Sequence, residues 1–304
     1  MRVAVVLVVV VSGAATPALA ATPADERAAA VVGPTAPQVS QTTANECTFP
    51  FTGTDATGTN VTVREPPERV VTLNPSAAQT MWEIGDAREK VVGVSPFADY
   101  LDDATENRTV IEGAGPGLYS PNVSQVAALD PDVVLAPNTI SDETVAALRE
   151  RDVTVYKFGE ATSIEFIYRK TRLTGRLVDE CAAADDRVAE MRDQVRTIRR
   201  ATDGVEEKVV FHYTGPGVTF RGTYFPPATA GSDTFVDEVI TVAGGENFGA
   251  RYGSDYPDYD PETVAAADPP WITTTTDAPL VPELRATTGG QPNRTVSLNT
   301  NYAS

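Results

Sequence analysis

The chain carries one histidine and two cysteines, and that scarcity limits what it could catalyse. It has no Gly-x-Ser-x-Gly nucleophile elbow and no His/Cys spacing of a metal site. The run Gly113-Ala-Gly-Pro-Gly117 departs from the dinucleotide fingerprint and reads as a loop. His212 lies in the apolar run 209–213, where a core or strand-end histidine is the simpler reading and an axial ligand to a bound metal the sharper one. Carboxylates are plentiful, yet no pair stands apart from the acidic background as a glycosidase-like acid and base would. These residues point to binding without a catalytic group, a cofactor or a metal. Aromatic and amide side chains gather instead in short, proline-bearing segments: Asn74-Pro75, Phe97 and Tyr100, Tyr119, Asn138, Tyr224-Phe225, and Tyr252 with Tyr256. Rings with a polar tip give large, rigid contact area at low entropic cost, which suits a bulky and partly polar ligand.

Such segments need a frame that brings them together, and the sequence contains one twice. Residues 124–135, Ser-Gln-Val-Ala-Ala-Leu-Asp-Pro-Asp-Val-Val-Leu, return at 262–273 as Glu-Thr-Val-Ala-Ala-Ala-Asp-Pro-Pro-Trp-Ile-Thr. In each copy Asp-Pro ends a short apolar-faced helix and a run suited to a buried strand follows. A weaker echo pairs 74–85 with 234–244, both helical in period and closed by glycine. A hairpin is expected from 49–52 and 61–64. Strands at 69–73, 90–95, 132–136 and 153–158 alternate with helices at 76–84, 123–129 and 141–151, the pattern of a parallel sheet. A second set follows: strand 208–213, the run 217–221, helices 233–243 and 262–267, strand 271–275 and another strand beginning at 295. The fold class is therefore α/β, with two similar lobes and a ligand cleft between them at the carboxyl ends of the strands. Residues 163–202 hold no proline, and Leu177, Cys181, Ala184, Val188, Met191, Val195 and Ile198 keep one buried stripe. That spacing predicts a single bridging helix of roughly 60 Å. The expected boundaries are 47–160 for the first lobe, 161–204 for the bridge and 205–304 for the second lobe.

The first twenty residues, with Arg2, an apolar run at 3–11 and Ala18-Leu19-Ala20, read as a signal peptide, too short to span a membrane. Residues 21–46, rich in Ala, Thr and Pro, read as a flexible tether. The expectation is an exported monomer held by a tether or anchor at the extracellular face of the cell membrane. A net charge of −18, with four lysines against twenty arginines, argues against nucleic acid and against simple electrostatic adhesion to anionic lipid. It suits an acidic, solvated surface of the kind proteins carry in a high-salt milieu. Export permits a bridge between Cys47 and Cys181, with two inert buried thiols as the alternative. Acceptor sequons stand at Asn60, Asn107, Asn122 and Asn293.

Several stretches together resemble a family. They are 49–58 (Phe-Pro-Phe-Thr-Gly-Thr-Asp-Ala-Thr-Gly), 67–73, Val91-Val-Gly-Val94, 129–134, 243–247 and the long helical segment. The chain is similar over residues 47 to the end to the substrate-binding proteins of ABC importers for cobalamin and ferric siderophores. Residues 74–82, with Tyr156 and 171–175, resemble the cell-surface cobalamin-type branch of salt-loving archaea. The resemblance implies two lobes bridged by one long helix, a ligand between them and delivery to an ABC permease. The implied ligand is a corrinoid, with a ferric siderophore or haem as the alternative and a cell-surface hydrolytic enzyme as the reading of another class. It also implies a docking glutamate on each lobe: Glu262 matches the second, while Ser124 stands at the first. Phe97, Tyr256 and Asn301 match ligand-contacting positions, and Leu118-Tyr119 replaces a family tryptophan. Members of that branch usually end in an anchor helix, and since no closing helix follows the strand beginning at 295, the second lobe is expected to be incomplete at its C-terminus.

Overall fold

The structure is a computed structural model that describes residues 47–113, 120–220, 223–274 and 279–298. The expected signal peptide and tether, Tyr119 and Asn301 lie outside the described residues. Valine-rich runs in the first half become strands buried on both faces, as parallel sheets require. A short antiparallel hairpin, β1 (Phe51–Thr54) with β2 (Asn60–Val63), precedes them. The chain continues through β3 (Val70–Thr72), α1 (Pro75–Glu83), β4 (Val91–Val94), β5 (Thr109–Val110), α2 (Val123–Ala128), β6 (Val133–Ala136), α3 (Asp142–Arg149) and β7 (Val155–Lys157). The strands order as β5-β4-β3-β6-β7, all parallel. Val70, Val91 and Leu135 pack with Ala78 and Met81 of α1 on one face. Val71, Val134 and Val155 pack with Val126 of α2 and Leu148 of α3 on the other. The α2 and α3 starts are fixed by side-chain caps, Asn122 accepting from the Ser124 and Gln125 N–H groups and Ser141 from that of Thr144.

The bridge is helical, but it is not one rod. Helix α4 (Ile164–Val178) stops at Asp179, whose backbone is left-handed at φ 60°, and α5 (Cys181–Thr202) starts two residues later. The two run antiparallel. Arg172 bonds Asp185 at 2.6 Å, Arg192 reaches Glu165 at 3.2 Å, and the Arg192 guanidinium lies over the Tyr168 ring. At Gly175 an added Cβ would come within 2.5 Å of the Ala184 Cβ, so the arms cross closely only because that residue is glycine. The expected 60 Å helix over 163–202 is thus a helical hairpin. Aspartate tolerates the left-handed conformation that reverses the chain, with neither proline nor glycine in the turn. Bridging falls to α5, whose 22 residues span about 33 Å. Ala184 and Val188 hold the buried stripe within α5, while Leu177 belongs to the other arm.

The second lobe comprises β8 (Lys208–Tyr213), the hairpin β9 (Val218–Phe220) and β10 (Thr223–Phe225), α6 (Phe235–Val242), β11 (Gly245–Asn247), α7 (Pro261–Ala267), β12 (Trp271–Thr274), α8 (Pro282–Arg285) and β13 (Thr295–Ser297). Its parallel sheet orders as β11-β8-β12-β13, the same wiring as β4-β3-β6-β7. Within the repeat, Val126 and Val264 are both buried, and Asp130 (φ 48°) and Asp268 (φ 46°) both turn left-handed before their prolines. Phe211, Phe248, Tyr259, Ile272 and Leu284 form the core, with Phe211 edge-on to Tyr259 at 4.9 Å. Among the described residues no helix is long and apolar enough to cross a membrane.

Candidate functional site

In a sheet wired this way the first strand has its successors on opposite sides, and the carboxyl ends of the strands at that switch open a crevice. In the first lobe the switch lies between β3 and β6. Asn74 follows β3 at φ 71°, ψ 157°, a region that glycine occupies and that costs other residues about 1 to 3 kcal/mol. Its side-chain amide donates across the switch to the Thr139 hydroxyl beyond β6. Asn138 beside it is exposed, and Pro75 opens α1 where a missing N–H is harmless. After β4 a single tight turn, Pro96–Ala98, leaves Phe97 51% exposed, and the Tyr100 hydroxyl donates to Gln79 of α1 at 3.3 Å. From behind, Lys170 of α4 donates to the Ser76 hydroxyl at 3.3 Å and lies 5.5 Å over the Phe158 ring. Burial lowers its pKa to about 8.

The second lobe presents Tyr224 on β10, 62% exposed, and Tyr256 in the loop before α7, 48% exposed. That loop is pinned to the strand-exit segment by the Asp255 N–H to Ser232 O at 3.1 Å and the Thr229 N–H to Pro257 O at 3.0 Å. Tyr259, three residues past Tyr256, turns into the core instead, where burial and then the neighbouring phenols raise its pKa. Tyr252 is partly buried and packs against that core, edge-on to Phe248 at 6.0 Å. Phe225 pairs with Val218 along β10.

Two contacts bring the carboxyl edges of both sheets together. Glu160, just beyond β7, lies near enough to Tyr256 that, after burial, its carboxylate helps raise the phenol pKa. The Ile164 N–H at the start of α4 donates to Glu238 of α6 at 2.6 Å. The segments at these edges carry the Asn74 and Asn138 amides and exposed Phe97 in the first lobe and the exposed phenols of Tyr224 and Tyr256 in the second, with Lys170 packed against the start of α1.

Other expected residues fall elsewhere. Ser124 and Glu262 are exposed and occupy the same second position of α2 and α7, after the caps Asn122 and Asp260. Cys47 and Cys181 form a disulfide that ties the N-terminal segment to the start of α5. His212 is 1% exposed, shares a 3.0 Å hydrogen bond with Thr273, and has a pKa lowered by burial to about 4. It is a neutral core histidine, and the axial-ligand reading is corrected. Among the described residues no three His, Cys, Asp or Glu side chains group as metal ligands. Ser76, Thr139, Glu160 and Lys170 escaped the sequence reading. Lys170 left a signal: it lies seven residues before buried Leu177 on α4, inside the apolar stripe, where a lysine calls for a reason.

Two sheets of the same wiring, a helical spine and exposed rings in the strand-exit segments give the plan of a two-lobed ligand-binding protein. A family model described as "Periplasmic binding protein" matches residues 70–291. A cobalamin-binding protein of Halobacterium salinarum is 43% identical over 272 residues, covering 84% of this chain and 70% of that protein. The crystal structure of heme binding protein HmuT aligns at TM-score 0.68 and 18% identity, over 84% of each chain. The vitamin B12 binding protein BtuF of Vibrio cholerae aligns at TM-score 0.61 and 20% identity, over 78% of this chain and 89% of that one. The chain belongs to the periplasmic binding protein family, and it is a binding protein, not an enzyme.

Proposed function

We propose that the protein captures a corrinoid between its lobes outside the cell membrane and presents it to an ABC permease. The observation that carries this reading is three large rings left about half exposed or more in the strand-exit segments, Phe97 in the first lobe and Tyr224 and Tyr256 in the second. Large exposed rings on soluble surfaces mark contact sites, and a macrocycle with amide arms suits both the rings and the Asn74 and Asn138 amides. The 43% identity to a cobalamin-binding protein supports the same choice. Haem or a ferric chelate is the second reading; with His212 enclosed, the phenols of Tyr224 and Tyr256 are the iron donors it would use. Permease docking falls to the exposed helix starts at Glu262 and Ser124, and the acidic surface suits work in concentrated salt.

Titration of the protein with cyanocobalamin, hemin and a ferric siderophore, followed by tryptophan fluorescence, tests the reading. A saturable response to cyanocobalamin is expected. Phe97→Ala and Tyr256→Ala should weaken it while leaving the denaturation midpoint nearly unchanged, because truncating a buried ring would instead cost about 3 to 5 kcal/mol. Silence towards all three compounds would end the transport reading.

A further inference from the structure

We propose that Lys170 is an anion-recognition residue of the cleft, holding an oxyanion group of the captured ligand together with Ser76 and the amino end of α1. This inference rests on the transport reading and gives the ligand a charged handle. The chain has four lysines. Three are matched to acids: Lys90 to Glu180 at 3.6 Å, Lys208 to Glu206 at 2.6 Å, and Lys157 to Asp142. Lys170, partly buried beneath the start of α1, has no carboxylate within ion-pair distance among the described residues, in a chain whose net charge is −18. Its contacts are the Ser76 hydroxyl and the face of Phe158, neither of which carries a formal negative charge.

A second source of positive potential points at the same place. Helix α1 starts at Pro75, and its cap residue Asn74 makes no side-chain bond to the first turn, while its Nδ2 amide donates to Thr139. The partial charge of an uncapped helix start and an ammonium group therefore converge beside Ser76, with no ion pair to Lys170 among the described residues. Burying a cation without a partner is unfavourable, and burial depresses the Lys170 pKa accordingly. An oxyanion seated there would satisfy the ammonium, the Ser76 hydroxyl and the helix start at once, through short charge-assisted bonds. A phosphodiester and a carboxylate offer that same chemistry.

The test compares pairs of related ligands of which one member carries the oxyanion and the other lacks it. Cyanocobalamin carries a phosphodiester in its nucleotide loop and dicyanocobinamide lacks it; hemin carries carboxylates and its dimethyl ester does not. The full chain should bind the anionic member of one pair tenfold or more tightly, and the pair that does so identifies the source. Lys170→Met should bring that ratio within about twofold, leaving the neutral member's affinity and the thermal midpoint unchanged, whereas Lys170→Arg should keep most of it. A ratio unchanged in Lys170→Met, an equal loss for both members, or no preference in the parent chain overturns the subsite while the transport reading stands. If none of the four compounds binds, the transport reading falls. The subsite is then judged on protein labelled with 13C at the lysine Cε: inorganic phosphate raising the Lys170 titration midpoint keeps it, and an unmoved midpoint rejects it.

Discussion

The two lobes share their wiring and differ in how they fill equivalent slots. Superposing the repeat, 124–135 on 262–273, places β6 on β12, and the strand registers then place Thr72 on His212 and Leu135 on Thr273. In the second lobe this slot holds a hydrogen-bonded pair, His212 with Thr273. In the first it holds Thr72 beside Leu135, and the buried Thr72 hydroxyl has no partner. Two residues on, the same superposition sets Asn74, strained and reaching across the switch, against Thr214, which closes locally on Ala228 O at 2.5 Å. The copies agree where a helix must hand over to a strand, at Val126/Val264 and Asp130/Asp268, and diverge at the carboxyl edges. Shared geometry is the demand of the sheet, and divergence marks where the lobes meet something else.

Anchorage differs most, so it yields the largest expected effect. The first lobe is tied to α5 by the Cys47–Cys181 disulfide, by Lys90–Glu180 and by Arg187–Glu83 at 2.8 Å, and its hairpin is held by the enclosed Asp55–Arg149 pair at 2.5 Å. The second lobe meets the spine through Thr202 to Val242 O at 3.4 Å and through Glu238. A disulfide closing a loop of sequence separation 134 stabilises by about 3 to 5 kcal/mol. Replacing both cysteines by serine should lower stability by that amount, and hydrogen exchange should show protection lost first around β1, β2 and the α4–α5 turn. Earlier loss in β8 and β12 would reverse the contrast.

Next in size is the filled slot of the second lobe. Burial puts the His212 pKa near 4 in the folded chain, below its ordinary 6.5. Between those values the unfolded chain takes up the proton and the folded chain does not, so stability falls as pH falls from about 6.5 to 4 and is unaffected above. The loss approaches about 3 kcal/mol. His212→Gln should flatten that part of the stability curve measured by urea unfolding. An identical acid slope in the variant would mean that the titrating group lies elsewhere.

Asn74 gives a smaller effect that separates strain from contact. Asn74→Ala keeps the left-handed backbone on a residue with a Cβ and loses the bridge to Thr139, so about 1 to 2 kcal/mol should be lost. Asn74→Gly loses the same bridge but relieves the backbone and should sit near the parent stability. Equal unfolding midpoints for the two variants would show that no strain is stored at this edge.

What was legible in the sequence was local. The Asp-Pro repeats announced their helix-to-strand units because proline acts on its immediate neighbours, and the valine-rich strands announced themselves by composition. The reversal at Asp179 was hidden because a left-handed aspartate leaves no proline or glycine behind and the apolar stripe continues past it. Strands β5, β10 and β11, two or three residues each, are too short to show a period. At the candidate site, Phe97 and Tyr256 drew attention in the sequence because loop aromatics are conspicuous, and both stand exposed in the fold. Lys170, Ser76 and Thr139 were missed because they join through space across 94 and 65 residues. Tyr252 and Tyr256 differ only in which way the loop turns them, and composition says nothing of that.

The smallest effect on stability should separate the lobes most sharply in function. Ser124 and Glu262 hold the same exposed position in α2 and α7, so the lobes differ there by one charge. If Glu262 only compensates the helix dipole, its carboxylate contributes about 0.3 to 1 kcal/mol, and Glu262→Gln should change nothing beyond that. If it meets an arginine of the permease, the charge serves association rate and specificity, which depend on salt more than stability does. Glu262→Gln should then keep the ligand affinity and unfold normally, yet slow uptake by permease-containing vesicles. Ser124→Glu should leave association unchanged or strengthen it, since it restores charge on the deficient lobe. Normal uptake with Glu262→Gln at moderate salt would reduce the residue to a helix-start acid and leave docking to other parts of the two edges.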